Sequence, residues 1–127
     1  VADAYVSATG GALMPVLRAV VVLELDGVPL PGFPSVRRIS LSEGQAFDYV
    51  KATGGGATAL PVGEIGVALN ALVVRPDQQV TLALGQIVLK AGGLLLVVDA
   101  DLGTGAQATI TNASGSSAQV KGYGGGS

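Results

Sequence analysis

Apolar residues in this chain come in short pieces, and nowhere do they hold the helical spacing for three turns. The pieces are rich in Val, Ile, Leu and Thr and are bounded by Gly, Pro, Asp and Asn, the pattern of strands joined by turns. About seven to nine strands are expected on that pattern. Residues 4–8 read as an edge strand, and residues 16–25 as a strong strand that ends at Asp26-Gly27, a hairpin signal. Residues 28–35 carry Pro29, Pro31 and Pro34, which remove three backbone donors, so this stretch is an extended loop or a sheet edge. Residues 36–41 alternate imperfectly between apolar and polar. Residues 46–52 place Phe47, Tyr49 and Lys51 on one face against Asp48 and Val50. These two pieces are expected to pair across residues 42–45. The glycine-rich residues 53–58 form either a mobile loop tip or a crossover between sheets.

Six more strand-length pieces follow, at residues 68–74, 79–84, 87–91, 94–100, 107–111 and 118–123, each bounded by turn residues. In the second of them Val80, Leu82 and Leu84 face one way, as in a half-buried strand. Residues 94–98 are apolar on both faces and are the segment most expected to be buried, as a central strand or a subunit interface. From Asn70 onward the pieces resemble a meander of hairpins. The tail 124–127, Gly-Gly-Gly-Ser, reads as a flexible loose end. The fold expected is all-β: a single-domain, antiparallel two-sheet β-sandwich, jelly-roll-like, over residues 1–123. It carries an N-terminal arm at 1–10 and a proline-rich arm at 28–35.

Composition changes this picture in one respect. With 127 residues the chain is about one domain long, and its apolar fraction of 49% rests on Val, Leu and Ala, since Phe33, Phe47, Tyr5, Tyr49 and Tyr123 are the only aromatics. The charged fraction is only 13%, about half that of an average globular protein, so much of the surface is small, neutral or apolar. That favours a permanent multimer, although a composition set by an Ala/Gly-rich genome accounts for it equally well.

Charge and motif then narrow the chemistry. The net charge is −2 and the seven cations are scattered apart from Arg37-Arg38, which is no phosphate-binding stripe, so no nucleic-acid partner is expected. The chain lacks both His and Cys, which removes the usual nucleophile–base pairs and any disulfide framework. Asp99 and Asp101 lie two apart and read as the solvated end of a strand rather than a metal site. The glycine stretches at 9–12, 53–58 and 102–105 lack the Lys-Ser/Thr and the helix that a phosphate loop needs. Tyr49 and Tyr123 are possible stacking platforms, with a core-edge role as the alternative. Asn112-Ala-Ser114 matches a glycosylation acceptor, a pattern short enough to occur by chance. The longest apolar runs, 19–23 and 94–98, are far too short to cross a bilayer, and the start lacks the cationic opening of a signal peptide. No enzyme activity, cofactor, metal or membrane partner is expected.

Residues 72–122 contain Arg75-Pro76-Asp77, Val80-Thr81-Leu82-Ala83-Leu84, Leu94-Leu95-Leu96-Val97-Val98-Asp99 and small-residue strands around Thr109-Ile110 and Gln119-Val120. In this the chain resembles tailed-bacteriophage virion proteins. The resemblance implies a capsid decoration or related accessory subunit, often trimeric, that cements neighbouring shell proteins in the virion. The expected partners are therefore copies of the chain itself and a major capsid or other virion protein. Candidate contact residues are Pro29, Leu30, Pro31, Phe33 and Pro34, then Leu94, Leu96 and Val98, with residues 1–8 as a second arm. The competing expectation is a monomeric extracellular or cell-surface binding module for a glycan or peptide, with a pocket near Tyr5, Tyr49 or Tyr123.

Overall fold

The computed structural model describes all residues except 1, 11–14, 55, 63–64 and 105–107. It is all-β and antiparallel, as the strand-and-turn pattern predicts, and twelve strands are described rather than seven to nine. The count is higher because several pieces are only two or three residues long. The only helical segment among the described residues is a 3-10 turn at Leu84–Gln86. The chain divides into two compact units, Val1–Ser42 and Glu43–Ser127.

The first unit is one sheet built around β2 (Pro15–Leu25). On one side β2 pairs with β1 (Ala2–Gly10) in unbroken register from Ala2 opposite Leu23 to Gly10 opposite Pro15. Residues 2–10, expected as a free arm with an edge strand inside it, are thus a paired edge strand along their whole length. On the other side lie β3 (Val28–Pro29) and β4 (Ser35–Ser40). Asp26 and Gly27 both have positive φ, 52° and 80°, the two-residue turn that the Asp-Gly pair predicts.

The second unit is a two-sheet sandwich of eight strands: β5 (Glu43–Lys51), β6 (Thr58–Ala59), β7 (Leu69–Pro76), β8 (Val80–Leu82), β9 (Ile87–Leu89), β10 (Leu95–Val98), β11 (Thr109–Thr111) and β12 (Ala118–Gly126). One sheet has the order β10-β7-β12-β5 and the other β6-β11-β8-β9. The core between them is aliphatic, as composition requires: Leu69, Leu72, Val74 and Val120 from the first sheet meet Val80, Leu82, Leu89 and Ile110 from the second. Phe47 closes one side and contacts Tyr49 edge-on, with ring centroids 6.3 Å apart. Phe47 and Lys51 are buried and Tyr49 half-buried while Asp48 and Val50 are exposed, so the expected facing of this strand holds. The segment after β5 carries the chain from one sheet to the other, the crossover alternative for residues 53–58.

Four expectations are corrected. Strands β4 and β5 do not pair with each other; β4 joins β2 and β5 joins β12. The chain from Asn70 onward is not a meander, because it leaves the first sheet for the β8–β9 hairpin and returns as β10 beside β7. Residues 95–98 form an edge strand, paired only with β7 and half-buried throughout, so the deeply buried strand is β7 instead. The tail is not loose: β12 runs to Gly126 between β5 and β7, and Gly124, Gly125 and Gly126 are buried. Its glycines are needed for close approach. A Cβ at Gly122 would strike the Val73 carbonyl and come within 2.5 Å of Phe47 Cζ, and one at Gly124 would lie 2.6 Å from Val62 Cγ1.

Candidate interaction surfaces

The proline-rich segment stays tied to its own sheet. Leu25 stands opposite Val28 and Glu24 opposite Pro29, and the Leu30 N–H donates to the Leu23 carbonyl at 2.9 Å. Pairing resumes with Ser35 opposite Val21, which leaves residues 31–34 facing the single residue Val22. Pro31 to Pro34 are therefore a wide bulge in an otherwise continuous edge, closed by the Phe33 N–H donating to the Leu30 carbonyl at 3.0 Å. Pro29, Leu30, Pro31 and Pro34 are exposed and Phe33 is half-buried. Around this hairpin end Leu25 is 67% and Val28 65% exposed, an aliphatic tip without charge except Asp26.

Register also separates the two faces of this sheet. Leu17, Ala19, Val21, Leu23 and Leu25 share one face with their partners Ile39, Arg37 and Val28; Leu17 and Ala19 are buried, Val21, Leu23 and Ile39 half-buried, and Arg37, Leu25 and Val28 exposed. Val16, Arg18, Val20, Val22 and Glu24 share the other, with Ser40, Arg38 and Val36 as partners of the first three. There Arg18 and Arg38 are exposed, Val36 is 54% exposed, and the remaining valines are half-buried. Aliphatic residues thus stand on both faces, where a sheet with one solvated face ordinarily keeps polar residues on that side. Sequence reasoning did not single them out. The available signal was the unbroken run Val20-Val21-Val22-Leu23, which alternation would have interrupted with polar residues.

In the second unit, Leu96 and Val98 lie on the outer face of the β10-β7-β12-β5 sheet, opposite Val73 and Ala71. Both are half-buried, and Leu94, just before β10, is 44% exposed. They belong to the second unit and the 29–34 group to the first. On the same outer face Arg75 stands directly opposite Lys121, and Lys121 opposite Asp48. Arg75, Pro76, Asp77, Gly92, Gln119 and Lys121 line a depression of about 250 Å³. Its floor is braced by Asp77, whose carboxylate accepts from the Gln119 N–H at 2.7 Å, and by the Gln119 side-chain amide donating to Asp48.

The remaining candidates resolve individually. Tyr123 lies across Gly44, where a Cβ would meet its ring, and burial raises its pKa. The Tyr49 hydroxyl is buried without a hydrogen-bond partner, and its pKa is pushed up to about 12 by that burial; the nearby Thr58 side chain opposes the rise without reaching hydrogen-bonding geometry. Neither ring stands free as a stacking platform. Tyr5 lies in β1, whose side chains are outside the described residues. Asp101 accepts from the Gly103 N–H at 3.1 Å, the turn-forming role of a solvated strand end. Asn112 is buried, with its amide donating to the Lys51 and Ser116 carbonyls at 3.0 and 2.9 Å. Its side chain is structural and inaccessible. Compared with protein-family models, curated protein sequences and solved structures, the chain matches none.

Proposed function

We propose that this protein is a structural subunit that works by packing against protein surfaces, copies of itself included, in the manner of a capsid decoration protein on a virion shell. The observation that carries this reading is the aliphatic hairpin end of the first unit, where Leu25, Val28 and Leu30 are all more than a third exposed. Soluble monomers seldom concentrate exposed aliphatic residues in one region without a partner to cover them. The strand order of the second unit supports the same reading. Its eight strands, numbered from β5, run 1-8-3-6 in one sheet and 2-7-4-5 in the other, an order that supports a jelly-roll reading. Jelly rolls serve as capsid modules and also as lectins. The role needs no cofactor and no catalytic group.

A glycan- or peptide-binding module is the second reading, favoured by the depression that Arg75, Asp77, Gln119 and Lys121 help to line. The two are separated by the solution mass measured by light scattering over a hundredfold range of concentration. Self-association supports the structural subunit. A chain that stays monomeric throughout, and that retains an immobilised glycan or peptide unless Arg75 and Lys121 are replaced by Ala, supports the binding module.

A further inference from the structure

Two pairs of cations stand directly opposite each other across strands: Arg18 with Arg38 in the first unit, and Arg75 with Lys121 in the second. The second pair is exposed on both sides and lines the depression of about 250 Å³. Residues so placed have Cβ atoms about 4.5–5.5 Å apart, a spacing at which like charges repel. Asp77 and Asp48 lie close by, and Gln119 engages both: Asp77 accepts from its backbone N–H at 2.7 Å and Asp48 from its side-chain amide. Among the described residues neither the Arg75 guanidinium nor the Lys121 ammonium donates to a carboxylate.

We infer that this depression is a subsite for a single carboxylate, presented by an acidic side chain of a partner protein. The inference rests on the peptide-binding reading of the depression and names the group recognised there. A carboxylate takes two parallel N–H bonds from the Arg75 fork while Lys121 adds a second positive charge, and its own charge relieves the repulsion between the two cations. Pro76 and Gly92, which have no polar side-chain atom, and the methylene stems of Arg75 and Lys121 suit the apolar stem of a Glu. Size points to one side chain, because pockets that enclose a whole small molecule run to roughly 300–1,000 Å³. Asp77 in the lining repels further negative charge, so a singly charged carboxylate is preferred to a phosphate dianion. No aromatic side chain is among the lining residues, which leaves a base or a sugar ring nothing to stack on.

Exposure sets the expected strength. Ion pairs between exposed groups are weak and screened by salt, so a lone acidic side chain should bind no more tightly than about 1 mM. A partner that presents the same group within a wider contact adds to that affinity through its other contacts.

The test is a titration of the isotope-labelled full chain, followed by amide NMR, with the blocked tripeptide acetyl-Gly-Glu-Gly-amide and its neutral counterpart acetyl-Gly-Gln-Gly-amide. The Glu peptide should shift amides within residues 75–77, 92 and 119–121 saturably, and at least about tenfold more tightly than the Gln peptide. Arg75→Gln and Lys121→Gln should each weaken it at least about fivefold, and about 0.5 M NaCl should weaken it in the parent. Arg75→Lys, which keeps the charge and loses the fork, should fall between the parent and Arg75→Gln. Both positions are exposed, and an unchanged amide spectrum away from the depression checks that each variant is folded. If the two peptides bind alike and the variants match the parent, the carboxylate inference fails while the peptide-binding reading stands. Methyl glucuronide or inorganic phosphate binding these amides more tightly than the Glu peptide would overturn the protein side chain as occupant, in favour of an acidic sugar or a general anion site. If none of these probes moves the amides, the subsite and the binding-module reading of the depression fail together.

Discussion

Strands β2 and β7 are similar as sequence and differ in what covers them. Each contains an unbroken aliphatic run, Val20-Val21-Val22-Leu23 in one and Leu72-Val73-Val74 in the other, and each has a paired neighbour on both sides. In β7 all three residues are buried, while in β2 the four are only half-buried and Leu25 beyond them is 67% exposed. Pairing satisfies the backbone of both strands equally. Burial of side chains needs a further layer against the face, and for Leu72 and Val74 of β7 that layer is the β6-β11-β8-β9 sheet across the core. The half-buried valines of β2 belong to a unit that is a single sheet, without a second sheet of its own to close over them.

The most damaging change should strike the sandwich where it is tightest. Gly122→Val puts branched carbon against the Val73 carbonyl and the Phe47 ring, neither of which can retreat without moving a strand. It should destabilise the protein by about 3 kcal/mol or more in urea denaturation, at the upper end of overpacking costs. Gly115→Ala, where a Cβ meets nothing, should change stability by less than about 0.5 kcal/mol. Next in size, Leu72→Ala should cost about 2–5 kcal/mol as a core truncation. Val20→Ala at a half-buried position of β2 should cost under about 1 kcal/mol when measured on dilute protein. Equal costs at Leu72 and Val20 would mean that Val20 is packed as tightly as the core, and the contrast between the two strands would fail.

How much of this was legible depends on the kind of signal. Alternation located β5 and β8 and their facing, because each has one polar and one apolar side. The Asp26-Gly27 turn was legible because only a few residues accept two consecutive positive φ values. Residues 94–98 misled because an apolar run says that both faces avoid water, without saying whether the strand has neighbours on both edges. Glycines 122 to 126 misled more deeply. A run of glycine in a sequence looks like missing side chains, and here the space above the strand is filled by Phe47 and Val62 from elsewhere in the chain. Long-range pairings such as β12 with both β5 and β7 leave no local trace.

A smaller effect is expected from the polar link that fastens β5 to the loop before β12. Asn112 sits between them with 2% exposure, donating to the Lys51 and Ser116 carbonyls and accepting from the Ser114 N–H and hydroxyl. Asn112→Ala removes all four bonds and leaves the buried Lys51 carbonyl without that partner. It should cost about 1–3 kcal/mol, the range for stranding a buried polar group, read as a shift in the urea midpoint at unchanged slope.

The smallest change should come from Tyr49→Phe, and its sign is the informative part. The Tyr49 hydroxyl is buried with no hydrogen-bond partner, so removing it takes away a polar atom that gains nothing from its surroundings. Stability at neutral pH should be unchanged or rise by up to about 1 kcal/mol, where loss of a satisfied hydroxyl would lower it. The pH dependence supplies an independent check. Burial raises the phenol's pKa from 10.0 to about 12 in the folded chain, so the unfolded chain loses this proton first as pH rises. The stabilising contribution is then complete below pH 10 and declines as pH climbs from 10 toward 12. Tyr123, whose pKa burial also raises, adds a decline of the same sign. In Tyr49→Phe the alkaline decline should be shallower than in the parent, and an identical decline in both proteins would show that Tyr49 ionises as freely folded as unfolded.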